Sequence, residues 1–305
     1  MKSIEFEHPL KNRSSPVELS EEDTITGAKI YDLFRERLIR GLAWNIKNGV
    51  VTIPKKASET KDTIIDGLNT EEISEQLARV IAGFKMVEDF LPDYMGKGNK
   101  LVRNNMGLFM TNLQWGREEL QHSLALGEIL EQTGHKTREK TIEDYQRNLG
   151  RTLELPYSTA RQIVIYGAFQ ERSTYLGYMA LKKRAEEENA PKTAKILGYI
   201  AGDEAYHHAG YTELARIYHQ TDPEGTVIDS LYIARNFKMP AEEYHPDRWQ
   251  WKKDFIEVCA FSKKLVAEEV VHHTLSAFRF VPEQEASKTA NEFLGRNPQI
   301  ELRTN

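Results

Sequence analysis

The sequence has few of the features that mark secreted, membrane-embedded or nucleic-acid-binding proteins. It contains one cysteine, Cys259, which excludes an internal disulfide framework and suits a reducing compartment. No apolar run reaches the roughly 18 residues of a membrane span. The net charge of −5 argues against a general nucleic-acid binder. Because the first residues lack a secretory or transit pattern, we expect a cytoplasmic protein.

Helical periodicity dominates the chain, and alternating strand patterns are hard to find. We predict one all-α domain over 1–305, with an extended segment at 1–20 and a polar, loosely held tail at 282–305. Four long helices are expected at about 69–94, 100–132, 158–188 and 191–220, which predicts an antiparallel bundle. Additional helices are expected at about 28–49, within 138–157, up to Lys238, and at 248–278. Pro92 predicts a kink in the first long helix.

Two segments of the predicted bundle have the form Glu-x-x-His. They are ELQH, with Glu119 and His122, and EAYH, with Glu204 and His207. Residues three apart lie on one face of a helix, so in each segment a carboxylate and an imidazole project together.

Each of these segments has a carboxylate in the preceding long helix. Glu88 lies 31 residues before Glu119, and Glu171 lies 33 residues before Glu204. All of these residues interrupt apolar stripes, whereas a surface carboxylate would stand among Lys, Arg and Ser. The stripe through Glu171, for example, contains Val164, Gly167, Thr174, Tyr178 and Leu181. The sequence therefore predicts a polar site shared by the buried faces of four helices.

The charges of this site indicate what neutralises it. Four carboxylates carry −4 and two neutral imidazoles carry none, so two divalent cations balance the site. Carboxylate and imidazole ligands suit iron or manganese, and the lack of thiolates argues against structural zinc. A Glu from each of two helices with Glu-x-x-His from two others is the pattern of di-iron and di-manganese bundles. We predict two metal ions held by Glu88, Glu119, His122, Glu171, Glu204 and His207.

Neighbouring residues have their own interpretations. Asp203 is either an ordinary surface acid or an acceptor that fixes an imidazole tautomer. Thr174, one turn after Glu171, is expected to face the metals. Glu118 is interpreted as a solvated partner of Arg117 or Gln121, and His208 as a residue beside the site that does not bind metal.

Five segments of the chain resemble the soluble acyl-carrier-protein desaturases of the stearoyl type. They are EDFLPDY (88–94), WGREELQH (115–122), FQERSTYLGY (169–178), AGDEAYHHAGYTE (201–213) and DPEGTVIDSLYIARNFKMPA (222–241). The resemblance covers roughly 70–245. It implies a ferritin-like four-helix bundle with flanking helices, a homodimer, and a di-iron centre that uses O2 as co-substrate, with manganese as a substitute for iron.

The resemblance also implies a role for each site residue. The terminal ligands are Glu88 and Glu171, the bridging ligands are Glu119 and Glu204, and the single-metal imidazoles are His122 and His207. Asp203 would orient His122, and Thr174 would lie by the face that meets O2. A ferredoxin would supply electrons, and an acyl chain on acyl carrier protein would receive a cis double bond in fatty acid biosynthesis.

The chain departs from this family in places. Members usually carry a carboxylate where His208 stands, and the segment before residue 70 matches poorly. Trp44 is the only N-terminal candidate for a tryptophan on the electron-entry route. The departures leave open the substrate and the electron donor.

Three other functions compete with desaturation. A di-iron oxygenase, such as a hydroxylase or N-oxygenase, would use the same metals on another substrate. A ribonucleotide reductase small subunit would carry a radical tyrosine four residues after the first ligand histidine, where this chain has Leu126. An iron-storage cage would need a far shorter chain.

Overall fold

The computed structural model describes residues 67–240, 244–245 and 247–296, together with Thr26, Lys29, 45–47 and 50–52. Strands β1 (Asn45–Lys47) and β2 (Val50–Thr52) pair antiparallel, with Ile46 opposite Val51. The helix predicted at 28–49 is therefore wrong at its end. Nearly all of its remainder, Trp44 and the 1–20 segment lie outside the described residues.

The rest of the described chain is helical. A 3₁₀ turn (Leu68–Thr70) precedes α1 (Glu75–Asp89), α2 (Leu91–Val102), α3 (Met106–Gln132), α4 (Arg138–Leu149), α5 (Ala160–Glu187), α6 (Pro191–Thr221), α7 (Pro223–Asn236) and α8 (Arg248–Cys259). Then follow α9 (Lys263–Leu265), a π-helical segment (Val266–His272), α10 (His273–Phe278) and α11 (Glu283–Arg296). Apart from the short β1–β2 pair, the described residues confirm the prediction of an all-α bundle with additional helices.

Helices α1, α3, α5 and α6 form the four-helix bundle. The most extensive contacts join α5 to α6 and α1 to α3. Neighbours run antiparallel: Ser74 at the start of α1 bonds Glu188 just after α5, and Phe84 fills the space beside Gly177. Their apolar faces build one core, as the periodicity predicts.

Four helix boundaries differ from the prediction, and one of them is the start of α3, which lies at Met106 rather than at about residue 100. The first long helix begins after Ser74, whose hydroxyl accepts a hydrogen bond from Leu77 N–H, rather than at Asn69. It ends at Asp89, and α2 begins with Pro92 in its first turn, so the expected kink is a break at Phe90. The helix expected at 248–278 is interrupted after Cys259, where Ala260 takes a left-handed φ of 51°.

The expectation of a loosely held tail from residue 282 is wrong as far as Arg296. Residues Glu283–Arg296 form α11, and its apolar side chains Ala286, Ala290 and Phe293 are buried. Their spacing of four and three residues places them on one helical face. That stripe was hidden in the sequence by the surrounding polar residues. Residues 297–305 lie outside the described chain.

Helix α8 packs closely against α1 at a glycine of α1. A Cβ at Gly83 would overlap the Trp251 indole, so only glycine allows this approach. Within the described residues, no helix combines the length and apolar character needed to span a membrane.

The packing of α11 predicts a large stability difference between two of its residues. Phe293 is 1% exposed, whereas Asn291 is exposed. Because Phe293→Ala leaves a cavity, it should lower the free energy of unfolding by about 3–5 kcal/mol, measured by denaturant titration. The matched Asn291→Ala should stay within about 0.5 kcal/mol of the parent. Equal effects of the two changes would show that α11 does not pack against α7 and the π-helical segment.

Candidate metal centre

The six predicted ligands lie together at the middle of the bundle. Helix α1 carries Glu88 in its last turn, and α5 carries Glu171. Helices α3 and α6 each carry one Glu-x-x-His pair, whose two side chains share a face because they are three residues apart. All six residues are at most 5% exposed, and Glu204 is 1% exposed.

The side chains form two overlapping groups, each of which could hold a cation. One group contains Glu88, Glu119, His122 and Glu204, and the other contains Glu119, Glu171, Glu204 and His207. Within each group the ligand atoms lie within 4.8 Å of one another. Glu119 and Glu204 belong to both groups, which is the geometry needed for two carboxylates to bridge two ions.

The polar atoms at the centre of this cluster fit a pair of cations. Four buried atoms have no hydrogen-bond partner among the described residues: Glu119 Oε1, His122 Nδ1, Glu204 Oε1 and His207 Nδ1. His122 Nδ1 lies 3.3 Å from Glu119 Oε2 and 3.3 Å from Glu204 Oε1. Two ligand atoms bound at about 2.1 Å to one ion lie about 3.0–3.4 Å apart at ordinary ligand angles. Two cations bound here would satisfy atoms that the described protein groups leave unsatisfied.

Electrostatics lead to the same conclusion. Burial, together with the charges of Glu119 and Glu204, raises the pKa of Glu88 well above its usual value. Burial and Glu204 raise the pKa of Glu171 in the same way. Burial opposes charge on His122, yet neighbouring Glu119 and Asp203 raise its pKa. The raised pKa values indicate that, without cations, Glu88 and Glu171 are neutralised by protons instead.

The outer nitrogens of both imidazoles face carboxylates. His122 Nε2 lies 3.2 Å from Asp203 Oδ2, and His207 Nε2 lies 2.8 Å from Glu118 Oε2. Since an ionised carboxylate only accepts, each Nε2 would donate its proton to the outer acid, and each Nδ1 would then offer its lone pair to a bound cation.

The interpretation of Glu118 as a solvated residue is wrong, because its side chain is 16% exposed and bonds His207. It also accepts from Gln114 Nε2 at 2.7 Å. The signal for this role was present in the sequence. Glu118 precedes Glu119 as Asp203 precedes Glu204, so both segments have an acid before Glu-x-x-His.

Two aromatic donors hold the remaining carboxylates. Trp115 Nε1 donates to Glu171 Oε1 at 3.1 Å, and Tyr178 OH donates to Glu88 Oε1 at 2.5 Å. The apolar stripe through Glu171 placed Tyr178 on the correct face, but the sequence identified neither aromatic residue as a donor. An aromatic residue at helical spacing usually indicates core packing alone.

Of the two other predicted neighbours, Thr174 contacts a cluster residue, whereas His208 contacts a backbone carbonyl. The Thr174 hydroxyl is 2.9 Å from Glu204 Oε2. His208 is in neither ligand group, and its Nδ1 donates to the carbonyl of Ala168 at 2.8 Å. Burial lowers the pKa of His208 to about 4, so it is neutral near pH 7.

Comparison with known proteins identifies the family. Residues 42–278 match the family model described as fatty acid desaturase. The chain belongs to the fatty acid desaturase family. The resemblance inferred from the five motifs is confirmed, and the match extends beyond roughly 70–245 at both ends.

Relatives of this chain include chloroplastic stearoyl-acyl-carrier-protein 9-desaturases of plants. The protein of Olea europaea is 33% identical over 205 residues, which cover 62% of this chain and 51% of the relative. That of Ricinus communis is 31% identical over 212 residues, covering 64% and 52%. The chain thus spans about half the length of these relatives. Their names place them in chloroplasts, so cytoplasmic localisation stays a prediction.

The cluster geometry predicts that Glu204→Ala and His207→Ala lose at least one of two bound metal equivalents, because each removes a ligand. Metal content per chain, measured by plasma emission spectrometry on iron-reconstituted protein, tests this. His208→Gln is the matched control, since its imidazole lies beside the cluster but faces a backbone carbonyl. Two metals in either ligand variant would contradict the assignment.

The outer contact of Glu118 predicts a weaker effect. Glu118→Gln replaces the anionic acceptor of His207, so metal affinity should fall about 10- to 100-fold without loss of the ligands. Competition with a chromophoric chelator measures the affinity. Glu128→Gln, on the same helix and hydrogen-bonded by Gln132, should leave affinity unchanged. An unchanged metal affinity in Glu118→Gln would show that Glu118 does not contribute to metal binding.

Proposed function

We propose that this protein is a di-iron acyl-carrier-protein desaturase that introduces a cis double bond into a carrier-bound acyl chain. The observation that carries the proposal is the position of Thr174, which contacts Glu204 and also lines an apolar cavity of about 240 Å³. The cavity therefore brings a chain-like apolar substrate to the edge of the metal centre.

The walls of this cavity suit a hydrocarbon chain. Phe84 and Val87 line it from α1, immediately before Glu88. Helix α8 contributes one face, and the C-terminal segments contribute Phe261, Val266 and Phe293. Such a wall offers burial without competing hydrogen bonds, which favours an acyl chain over a polar substrate.

Cations near this cavity support a carrier protein as the partner. Lys238, Arg248 and Lys252 are among its lining residues, and the first two are exposed. An acidic carrier protein with a phosphate-bearing arm complements such charges, which would speed association and orient the arm. The relatives named above are acyl-carrier-protein desaturases, which agrees with this partner.

In the proposed mechanism, protein residues position the reactants. When bound, two iron ions would supply the oxidising chemistry with O2, using electrons from a ferredoxin-type donor. Six buried side chains would hold the ions, with Glu119 and Glu204 bridging. Asp203 and Glu118 fix the imidazole tautomers, and Thr174 keeps a hydroxyl at the boundary between centre and cavity. Apolar walls exclude water from the acyl carbons. We further propose a homodimer, as the resemblance implies.

A product assay tests the proposed reaction directly. Iron-reconstituted protein is incubated with O2, a ferredoxin system and a panel of acyl-carrier-protein thioesters, and the released acids are analysed by mass spectrometry. We expect loss of two hydrogens from one or more chain lengths, and no conversion by Glu204→Ala. A hydroxylated product would instead favour an oxygenase. No conversion of any thioester by protein with two irons would contradict desaturation.

Filling the cavity should change substrate preference. Val266 is buried and lines it, so Val266→Phe removes volume without touching the cluster. Turnover of the longest accepted acyl chain should fall at least tenfold relative to the shortest, while metal content stays at two per chain. The exposed Ile228→Phe is the size-matched control. An unchanged ratio would show that the chain binds elsewhere.

A further inference from the structure

Tyr178 makes a contact with the cluster that the ligand pattern does not require. It lies on α5 two turns after Glu171 and is fully buried. Its hydroxyl donates to Glu88 Oε1 at 2.5 Å. A hydroxyl that donates to an ionised carboxylate forms a shorter and stronger bond than a neutral pair does.

The ring of Tyr178 contacts two other rings. Phe84 packs against it with ring centroids 4.8 Å apart, and Phe84 itself occupies the space beside Gly177. The His122 ring lies edge-on, with its centroid 6.4 Å from that of Tyr178. The hydroxyl is consequently aimed at Glu88 by packing as well as by its hydrogen bond.

A carboxylate can bind a metal through one oxygen or two, and a fixed donor changes that choice. The hydrogen bond engages one lone pair of Glu88 Oε1 and makes this oxygen the weaker metal donor, so the second oxygen is favoured as the ligand atom. Trp115 acts on Oε1 of Glu171 in the same way, through a longer bond of 3.1 Å.

We propose that Tyr178 is a positioning residue that makes Glu88 a one-oxygen ligand of the metal it shares with His122. This inference rests on the proposed metal centre. It adds that the two metal positions are unequal, because a short hydroxyl bond holds one terminal carboxylate and a longer indole bond holds the other. The oxygen withheld from the metal leaves one coordination position open there.

The test compares Tyr178→Phe, which removes only the hydroxyl, with the parent in cobalt titrations of metal-depleted protein. The control is Tyr166→Phe, which removes a buried hydroxyl that points to the backbone carbonyl of Lys238.

Cobalt(II) reports coordination number through the intensity of its visible bands. In Tyr178→Phe, Glu88 can bind through both oxygens, so the bands of one cobalt should weaken. The affinity of Tyr178→Phe for that cobalt ion should fall about 10- to 100-fold, because the Glu88 carboxylate is less well oriented.

A second variant separates positioning from simple packing. Tyr178→p-aminophenylalanine keeps a donor at the same end of the ring and should restore the parent spectrum and affinity. This variant also decides the question if Tyr178→Phe fails to fold, since a spectrum unlike that of the parent would count against positioning.

The outcomes for the inference and for the centre can be told apart. If the parent binds two cobalt ions and Tyr178→Phe gives the same spectrum and affinity, the inference is overturned and the metal centre stands. If the parent binds no cobalt, both fail together. A change confined to one of the two cobalt ions, with Tyr166→Phe unchanged, supports the inference.

Discussion

The structure depends on burying four carboxylates in the interior of a helical bundle. Glu88, Glu119, Glu171 and Glu204 are each at most 5% exposed and lie within reach of one another. Unpaired charges at such depth cost several kcal/mol each, so the bundle is stable only if protons or cations neutralise them. The raised pKa values of Glu88 and Glu171 and the unsatisfied atoms at the centre are consequences of this constraint.

The same constraint fixes how the helices register against each other. Helix α3 supplies an acid for the imidazole of α6, through Glu118 and His207, and α6 supplies Asp203 for His122 of α3. This exchange is possible only for antiparallel helices aligned at one level. Sliding either helix by one turn would break both imidazole contacts. The outer carboxylates therefore secure the bundle register and the direction of the ligand lone pairs.

The flanking helices give this centre its surroundings. Helix α8 approaches α1 at Gly83, and α11 buries Phe293, so together with the loop at Phe237–Pro240 they enclose an apolar cavity at the edge of the cluster. A metal centre of this composition supports many oxidations. In the proposed desaturase, the cavity and its cationic residues would select the substrate.

The sequence by itself determined the helices of the bundle and the six clustered side chains, because both follow from local spacing: three residues within each Glu-x-x-His, and a 3.6-residue period along each stripe. Among the outer groups, Asp203 was foreseeable as an acceptor, and the acid before each Glu-x-x-His hinted at Glu118. Tertiary structure decided that Glu118 meets His207 across 89 residues and that Tyr178 meets Glu88 across 90. The break at Ala260 and the docking of α11 also depended on packing, because a left-handed residue and a three-residue apolar stripe are too weak as local signals.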